Sequence, residues 1–217
     1  YRGADYGYGS DSRIVTQQEF EKQVISDQSS VSSLNSVVMI QCVGPAEKFC
    51  ARICCTVALK NALRLKELRP ETQVVILYRD IRSYGFDEKL YTQAREKGVL
   101  FVRYEPDRKP QVAITNYQSP ITIQVWDPSL RRELELNPDL LVLSTPAVPR
   151  VDARDLSMMF KVPTDADGFF LEAHVKLRPV DFATNGIFMA GMAHYPKLLD
   201  ETMIQAQAAA ARAARVL

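Results

Sequence analysis

The chain has 217 residues, 47% apolar and 24% charged, with a net charge of +1. That length supports one large domain or two small ones, and the near-neutral balance projects no long-range field towards nucleic acid or an anionic membrane. Apolar runs are only a handful of residues long, so nothing spans a bilayer. The opening residues carry no secretory pattern, and a cytoplasmic protein is expected.

In chain order, residues 1–35 begin as a Gly/Tyr-rich loop. Thr16-Gln-Gln-Glu19 fits a capping box, which predicts a short helix through about Val24. Ser26 to Ser33 reads as a connector. Val37 to Gln41 is an apolar run of the kind a parallel strand buried on both faces shows, broken by Gly44 and Pro45. From about Phe49 to Leu68 apolar residues recur at helical spacing until Pro70. Val74 to Tyr78 predicts a second strand, Phe86 to Lys97 a helix closed by Gly98, and Val99 to Tyr104 a third strand. Together these make a right-handed βαβαβ unit, half of a doubly wound nucleotide-binding fold.

The texture then changes. Gln111 to Asn116, Pro120 to Trp126 and Arg132 to Leu136 alternate, with turn signals at Asn116 to Ser119 and at Asp127-Pro-Ser129, which predicts an antiparallel meander. Leu140 to Ser144 returns as a buried strand. An α/β chain of this order matches the pattern of pyridine-nucleotide–disulfide oxidoreductases, by analogy alone. In the last segment Asp152 to Phe160 predicts a short helix and Gly168 to Leu171 and Gly186 to Ala190 predict strands. A long Ala-rich helix from about Asp200 is expected to pack closely against the sheet. The opening at Tyr1 and the stop within that Ala-rich pattern lead us to expect an internal piece of a longer polypeptide.

All four cysteines lie between Cys42 and Cys55. A secreted protein stapled by disulfides spreads its bridges, so cytosolic metal or redox chemistry is the better reading. Cys42 follows the first strand; Cys50 and Cys54 share a helix face if the helix has begun by then; Cys55 lies about 100° further round. The thiols should therefore converge at the strand-end crevice, where helix N-terminal amides favour anions. Four thiolates suit a [4Fe–4S] cluster or a tetrahedral zinc. Redox-active disulfides and inert core thiols remain open. At this turn a dinucleotide site would carry G-x-G-x-x-G, whereas the residues are Val43-Gly-Pro-Ala-Glu-Lys-Phe-Cys50, which disfavours NAD binding.

Gln41-Cys-Val-Gly44, Cys50-Ala-Arg-Ile-Cys-Cys55, Tyr78-Arg-Asp-Ile-Arg-Ser-Tyr-Gly85, Gly98 to Tyr104, Phe170 to Pro179 and Gly186 to Gly191 resemble, in order, the signature of the heterodisulfide reductase A subunits. The resemblance implies a thioredoxin-reductase-like core that binds FAD, with a [4Fe–4S] cluster ligated by residues matching Cys42, Cys50, Cys54 and Cys55. It implies electron transfer between a hydrogenase or dehydrogenase donor and disulfide-reducing or related subunits, with electron bifurcation in some complexes. On this view residues 1–35 are the tail of the first FAD-domain half, 36–149 an NAD-type domain carrying the cysteines, and 150–217 the returning FAD half. The upstream flavin half is missing, so weak or no FAD retention is expected.

Within that returning half thioredoxin reductases carry Gly-Asp, whereas this chain has Gly191-Met192, in keeping with the resembled family, which tends to lack that Asp. The backbone of Met192 and Ala193 is then the part that addresses flavin oxygens, with Gln205 near the ring and His194 and Lys197 placed to tune it. The plainer reading makes His194 a core hydrogen bonder and Lys197 a solvated side chain. Arg79, Asp80 and Arg82 read as an ion-paired group by default or else a docking surface, and Arg178 as a solvated side chain, although Arg178-Pro179 hints at a fixed loop. The competing function is a docking module whose cysteines bind zinc or form disulfides.

Overall fold

The computed structural model describes residues 1–26, 28–114 and 119–215. The chain divides into two compact units, one of Tyr1–Cys50 and Cys54–Pro146, the other of Ala51–Ile53 and Ala147–Leu217.

The first unit is built on β1 (Ile14–Thr16), α1 (Gln17–Ser26), β2 (Ser36–Ile40), α2 (Ile53–Leu68), β3 (Gln73–Tyr78), α3 (Glu88–Glu96) and β4 (Leu100–Arg103). The meander β5 (Gln111–Ala113), β6 (Thr122–Asp127) and β7 (Arg132–Leu136) follows, and β8 (Leu140–Leu143) returns to the sheet. Five strands pair in parallel in the order β1-β8-β2-β3-β4, and β5-β6-β7 form a separate antiparallel sheet. The continuous apolar runs of β2, β3 and β8 follow from burial of both sheet faces. Val37, Met39, Val74, Ile76, Leu140 and Val142 share one core with Phe20 and Val24 of α1 and Ala58, Leu59 and Ala62 of α2. The alternate residues Val38, Ile40, Val75, Leu77, Leu141 and Leu143 share a second with Ile121, Ile123 and Val125 around the meander.

The expected capping box forms. Thr16 N–H donates to Glu19 Oε2 at 2.8 Å, and Glu19 N–H donates to Thr16 Oγ1 at 3.3 Å. Replacing Thr16 with alanine is expected to cost about 1 kcal/mol, read as a lowered urea midpoint; an unchanged midpoint would show that the cap is idle.

β1 pairs with β8, and Phe20, Val24 and Val31 sit in the sheet core, so residues 1–35 lie within the first compact unit. Two expectations change. The helix after the first strand begins at Ile53, four residues later than its apolar spacing predicts. Arg52 takes a left-handed backbone (φ 62°), which interrupts any helix through Cys50. In the second unit, which also holds α4 (Ala153–Phe160) and α5 (Leu199–Ala214), the expected strands reduce to single bridges, Thr164 with Phe170 and Asp181 with Phe188. Its small core joins Val162, Phe182 and Met189, with Phe170 edge-on to Phe182 at 5.8 Å. No described residue of α5 is buried. Polar anchors hold it instead, chiefly Arg212 Nη2 to Asp181 Oδ1 at 2.8 Å. Most of the turn expected from Asn116 to Ser119, and the end of the last helix at 216–217, lie outside the described residues.

Candidate functional site

Two groups of side chains carry chemistry, one in each unit. In the first unit, β2 ends at a turn held by its backbone. Gln41 N–H donates to Leu77 O at 2.9 Å, the Tyr104 hydroxyl donates to Gln41 O at 2.7 Å, and Val43 N–H donates to Ser144 O at 3.3 Å. Cys42 then adopts φ 60°, a left-handed conformation uncommon outside glycine and frequent at functional sites. Gly44 (φ 61°) opens a short 3-10 turn, and a side chain there would be strained by the positive φ and would have to displace the Tyr1 ring.

All four cysteines are free thiols. Cys42 and Cys50 are half-buried; Cys54 and Cys55, in the first turn of α2, are buried. They lie close enough to bias one another's ionisation. Burial, with Cys55 and Cys50 nearby, pushes Cys42 up to about 11, against the pull of Arg79 and Arg82. Cys54 donates to Cys55, which raises Cys54 well above the ordinary thiol range and, with the Arg82 backbone N–H, draws Cys55 down to about 7. Arg82 pairs with Asp80 at 3.1 Å, as expected, while Arg79 donates to the backbone carbonyl of Glu47 at 3.1 Å.

In kind this donor set fits a thiophilic metal group: four thiols and two arginines to balance thiolate charge. Gln41 strengthens the fit, because its carboxamide is fully buried and both its polar atoms lack a partner. The geometry is less closed than the spacing suggests. Among the described residues no three His, Cys, Asp or Glu side chains are drawn together as a metal site.

In the second unit, Gly191, Met192 and Ala193 form a 3-10 turn with Gly191 at φ 70°. The turn positions His194, whose ring is a hub. His194 Nε2 lies 2.7 Å from Glu172 Oε2, and His194 Nδ1 lies 2.8 Å from Gln205 Nε2 and 3.2 Å from Lys197 Nζ. Gln205 Oε1 accepts from Gly191 N–H at 2.8 Å. Lys197 is 6% exposed, not solvated, and sits 3.0 Å over the centroid of the Tyr195 ring. Arg52, paired with Glu201, lies 5.6 Å from the same centroid. Burial draws the Lys197 amine down to about 8, with Glu201 opposing and Arg52 assisting. The structure thus gathers Gly191, His194, Lys197 and Gln205, all expected from the sequence. Glu172, Tyr195 and Arg52 were not expected; the only signal for Glu172 and Arg52 was their place within segments carrying the resemblance, and Tyr195 had none. A cavity of about 170 Å³ beside Met192 and Ala193, lined also by Val148, Pro149, Leu156 and Phe170, is smaller than a typical ligand pocket. The turn offers backbone and polar contacts to a flavin, and the cavity beside it is too small for a whole one.

No family model matches the chain. Among solved structures, the thioredoxin reductase of T. acidophilum superposes with TM-score 0.58 at 12% identity, over 99% of this chain and 59% of that one. The thioredoxin reductase of Lactococcus lactis gives 0.55 at 16%, over 94% and 60%. The fold class is therefore that of the pyridine-nucleotide–disulfide oxidoreductases.

In sequence the chain is a relative of heterodisulfide reductase A subunits. It is 34% identical to the A subunit of the H2:CoB-CoM heterodisulfide,ferredoxin reductase of Methanothermobacter marburgensis, over 97% of this chain and 34% of that protein. It is 39% identical to the A subunit of the ferredoxin:CoB-CoM heterodisulfide reductase of Methanosarcina acetivorans, over 82% and 22%. With the iron-sulfur A subunit of the CoB-CoM heterodisulfide reductase of Methanocaldococcus jannaschii identity is 37%, over 95% and 33%. The chain thus spans about a third or less of the length of these relatives. Among the described residues no helix is long and apolar enough to cross a membrane.

Proposed function

We propose that this chain forms part of a heterodisulfide-reductase A-type electron-transfer subunit. The observation that carries the reading is the set of four free thiols at the β2–α2 turn, where a dinucleotide-binding relative would carry phosphate-binding glycines. Cys42, Cys50, Cys54 and Cys55 would hold a [4Fe–4S] cluster, and Gly191, Met192, Ala193, His194, Lys197 and Gln205 would contribute to an FAD site in the whole protein. The cluster supplies one-electron transfer and the flavin exchanges between one- and two-electron chemistry. The relatives' names point to a hydrogen-, ferredoxin- or F420H2-linked donor and to partner subunits acting on a CoB-CoM heterodisulfide. Electron-pair splitting at the flavin belongs to the same reading.

Anaerobic reconstitution with iron and sulfide tests the cluster. About four irons and matching acid-labile sulfide per chain are expected. Fewer than about one iron per chain overturns the assignment, and one tightly held zinc or two disulfide bridges would establish the docking-module reading instead.

A further inference from the structure

Among the described residues Lys197 Nζ makes no ion pair with a carboxylate; its neighbours are an imidazole nitrogen and a ring face. What that nitrogen can do is fixed by the network around it. Gln205 Oε1 is committed to the Gly191 N–H, so the atom facing His194 Nδ1 is the carboxamide nitrogen, which only donates. Nδ1 must therefore accept, and the single ring hydrogen sits on Nε2, where Glu172 Oε2 receives it at 2.7 Å. A carboxylate would clamp an ammonium and favour its charged form. An imidazole nitrogen that only accepts can hold a lysine amine in both its charged and neutral states, since both keep an N–H to donate, and it favours the ammonium less than a carboxylate would.

We propose that Glu172 is a positioning residue for Lys197: by fixing His194 as its Nε2–H tautomer, it presents Nδ1 as the acceptor that holds the Lys197 amine as a proton donor and acceptor. The inference deepens the flavin reading and rests on it only for what the proton serves, a group that takes up a proton along with an electron pair. The step at this chain is proton transfer alone. Lys197 Nζ gives up H⁺ and is left a neutral amine, which rebinds H⁺ from solvent.

The charges around the pair agree. Burial lowers His194 below its ordinary value, against the pull of Glu172 and Asp165, and so keeps the ring neutral. Burial also opposes ionisation of Glu172, but its own backbone N–H and the bond from His194 outweigh it and hold its carboxyl below the usual range. Glu201 and Glu172 raise Lys197 while burial and Arg52 lower it, the net leaving it near 8; Tyr195 meets it only through the ring face.

NMR of the chain with labelled histidine and lysine reads this directly. In the unaltered chain His194 should be neutral and protonated at Nε2 above pH 7, and Lys197 should titrate at about 8. Glu172→Gln keeps an acceptor oxygen, so the tautomer should survive while the Lys197 midpoint falls below 8, because a negative charge that raised it is gone. Glu172→Leu leaves Gln205 alone to favour the Nε2–H ring and should weaken that preference. A Lys197 midpoint near the ordinary 10.5 overturns the proposal. So does an Nδ1–H ring in the unaltered chain, or a Glu172→Gln midpoint that does not move; that last readout stands even if Glu172→Leu fails to fold. A flavin titration of the full-length subunit separates the two claims: no flavin binding there, with these titrations intact in the chain, sinks the flavin role alone.

Discussion

Phe20→Ala is expected to destabilise the first unit by about 3–5 kcal/mol, a large part of the roughly 5–15 kcal/mol that holds a typical domain together. Phe20 is completely buried on α1, in the same core as Val37 and Met39 of β2 and Leu59 of α2. Deleting its ring removes transfer energy and leaves a cavity among residues fixed by the sheet. The control lies on the same helix: Ile25 is 56% exposed, and Ile25→Ala should change stability by no more than about 0.5 kcal/mol. Trp126, the single tryptophan, lies on β6 with the Arg108 guanidinium 3.8 Å from its ring centroid, so its fluorescence reports the unit during urea unfolding. If Phe20→Ala leaves the Trp126 midpoint in place, α1 is not part of this core and the membership of residues 1–26 falls with it.

The same helix shows what was legible in the sequence. Its start was, because Thr16 and Glu19 satisfy backbone N–H groups locally, and a local bond leaves a local signature. The strand before it was not: Ile14-Val-Thr16 is three residues long, and it is a strand because β8 lies beside it in the fold, 125 or more residues further along the chain. β2, β3 and β8 were readable for the opposite reason, since burial on both faces demands an unbroken apolar run. In the second unit the apolar stretches around Phe170 and Phe188 looked like strands, yet each finds only one bridging residue, and without a ladder the periodicity of two has nothing to report. Helical spacing through Phe49 and Ile53 likewise ran past the point where Arg52 turns left-handed, a backbone choice that side-chain pattern does not encode. Among site residues, the cysteines and the turn at Gly191 announced themselves by residue type. Glu172 could not, because an acidic residue is ordinarily a solvated one and only its 2.7 Å approach to His194 marks it out.

Gln41→Met should stabilise the metal-free chain by about 1–3 kcal/mol, an unusual sign for a substitution beside a conformationally strained residue. The backbone of Gln41 is fully engaged, but its carboxamide nitrogen and oxygen are buried without partners. A buried amide in that state forfeits its water bonds and gains nothing, whereas a linear thioether of similar length fills the same space at no such cost. Strand alternation puts Gln41 on the Met39 side of the sheet, the side α2 covers, at the end of β2 from which the chain runs on to Cys42. A group held by the thiols would be the natural recipient of the amide's hydrogen bonds, since thiolate and sulfide accept them. The gain measured in the metal-free chain should therefore shrink or reverse after reconstitution with iron and sulfide, when Gln41 has something to donate to and methionine does not. A lowered urea midpoint for Gln41→Met without metal would mean that the carboxamide is already satisfied. A gain that persists unchanged in reconstituted protein would separate Gln41 from the thiol group and leave its burial a cost with no return.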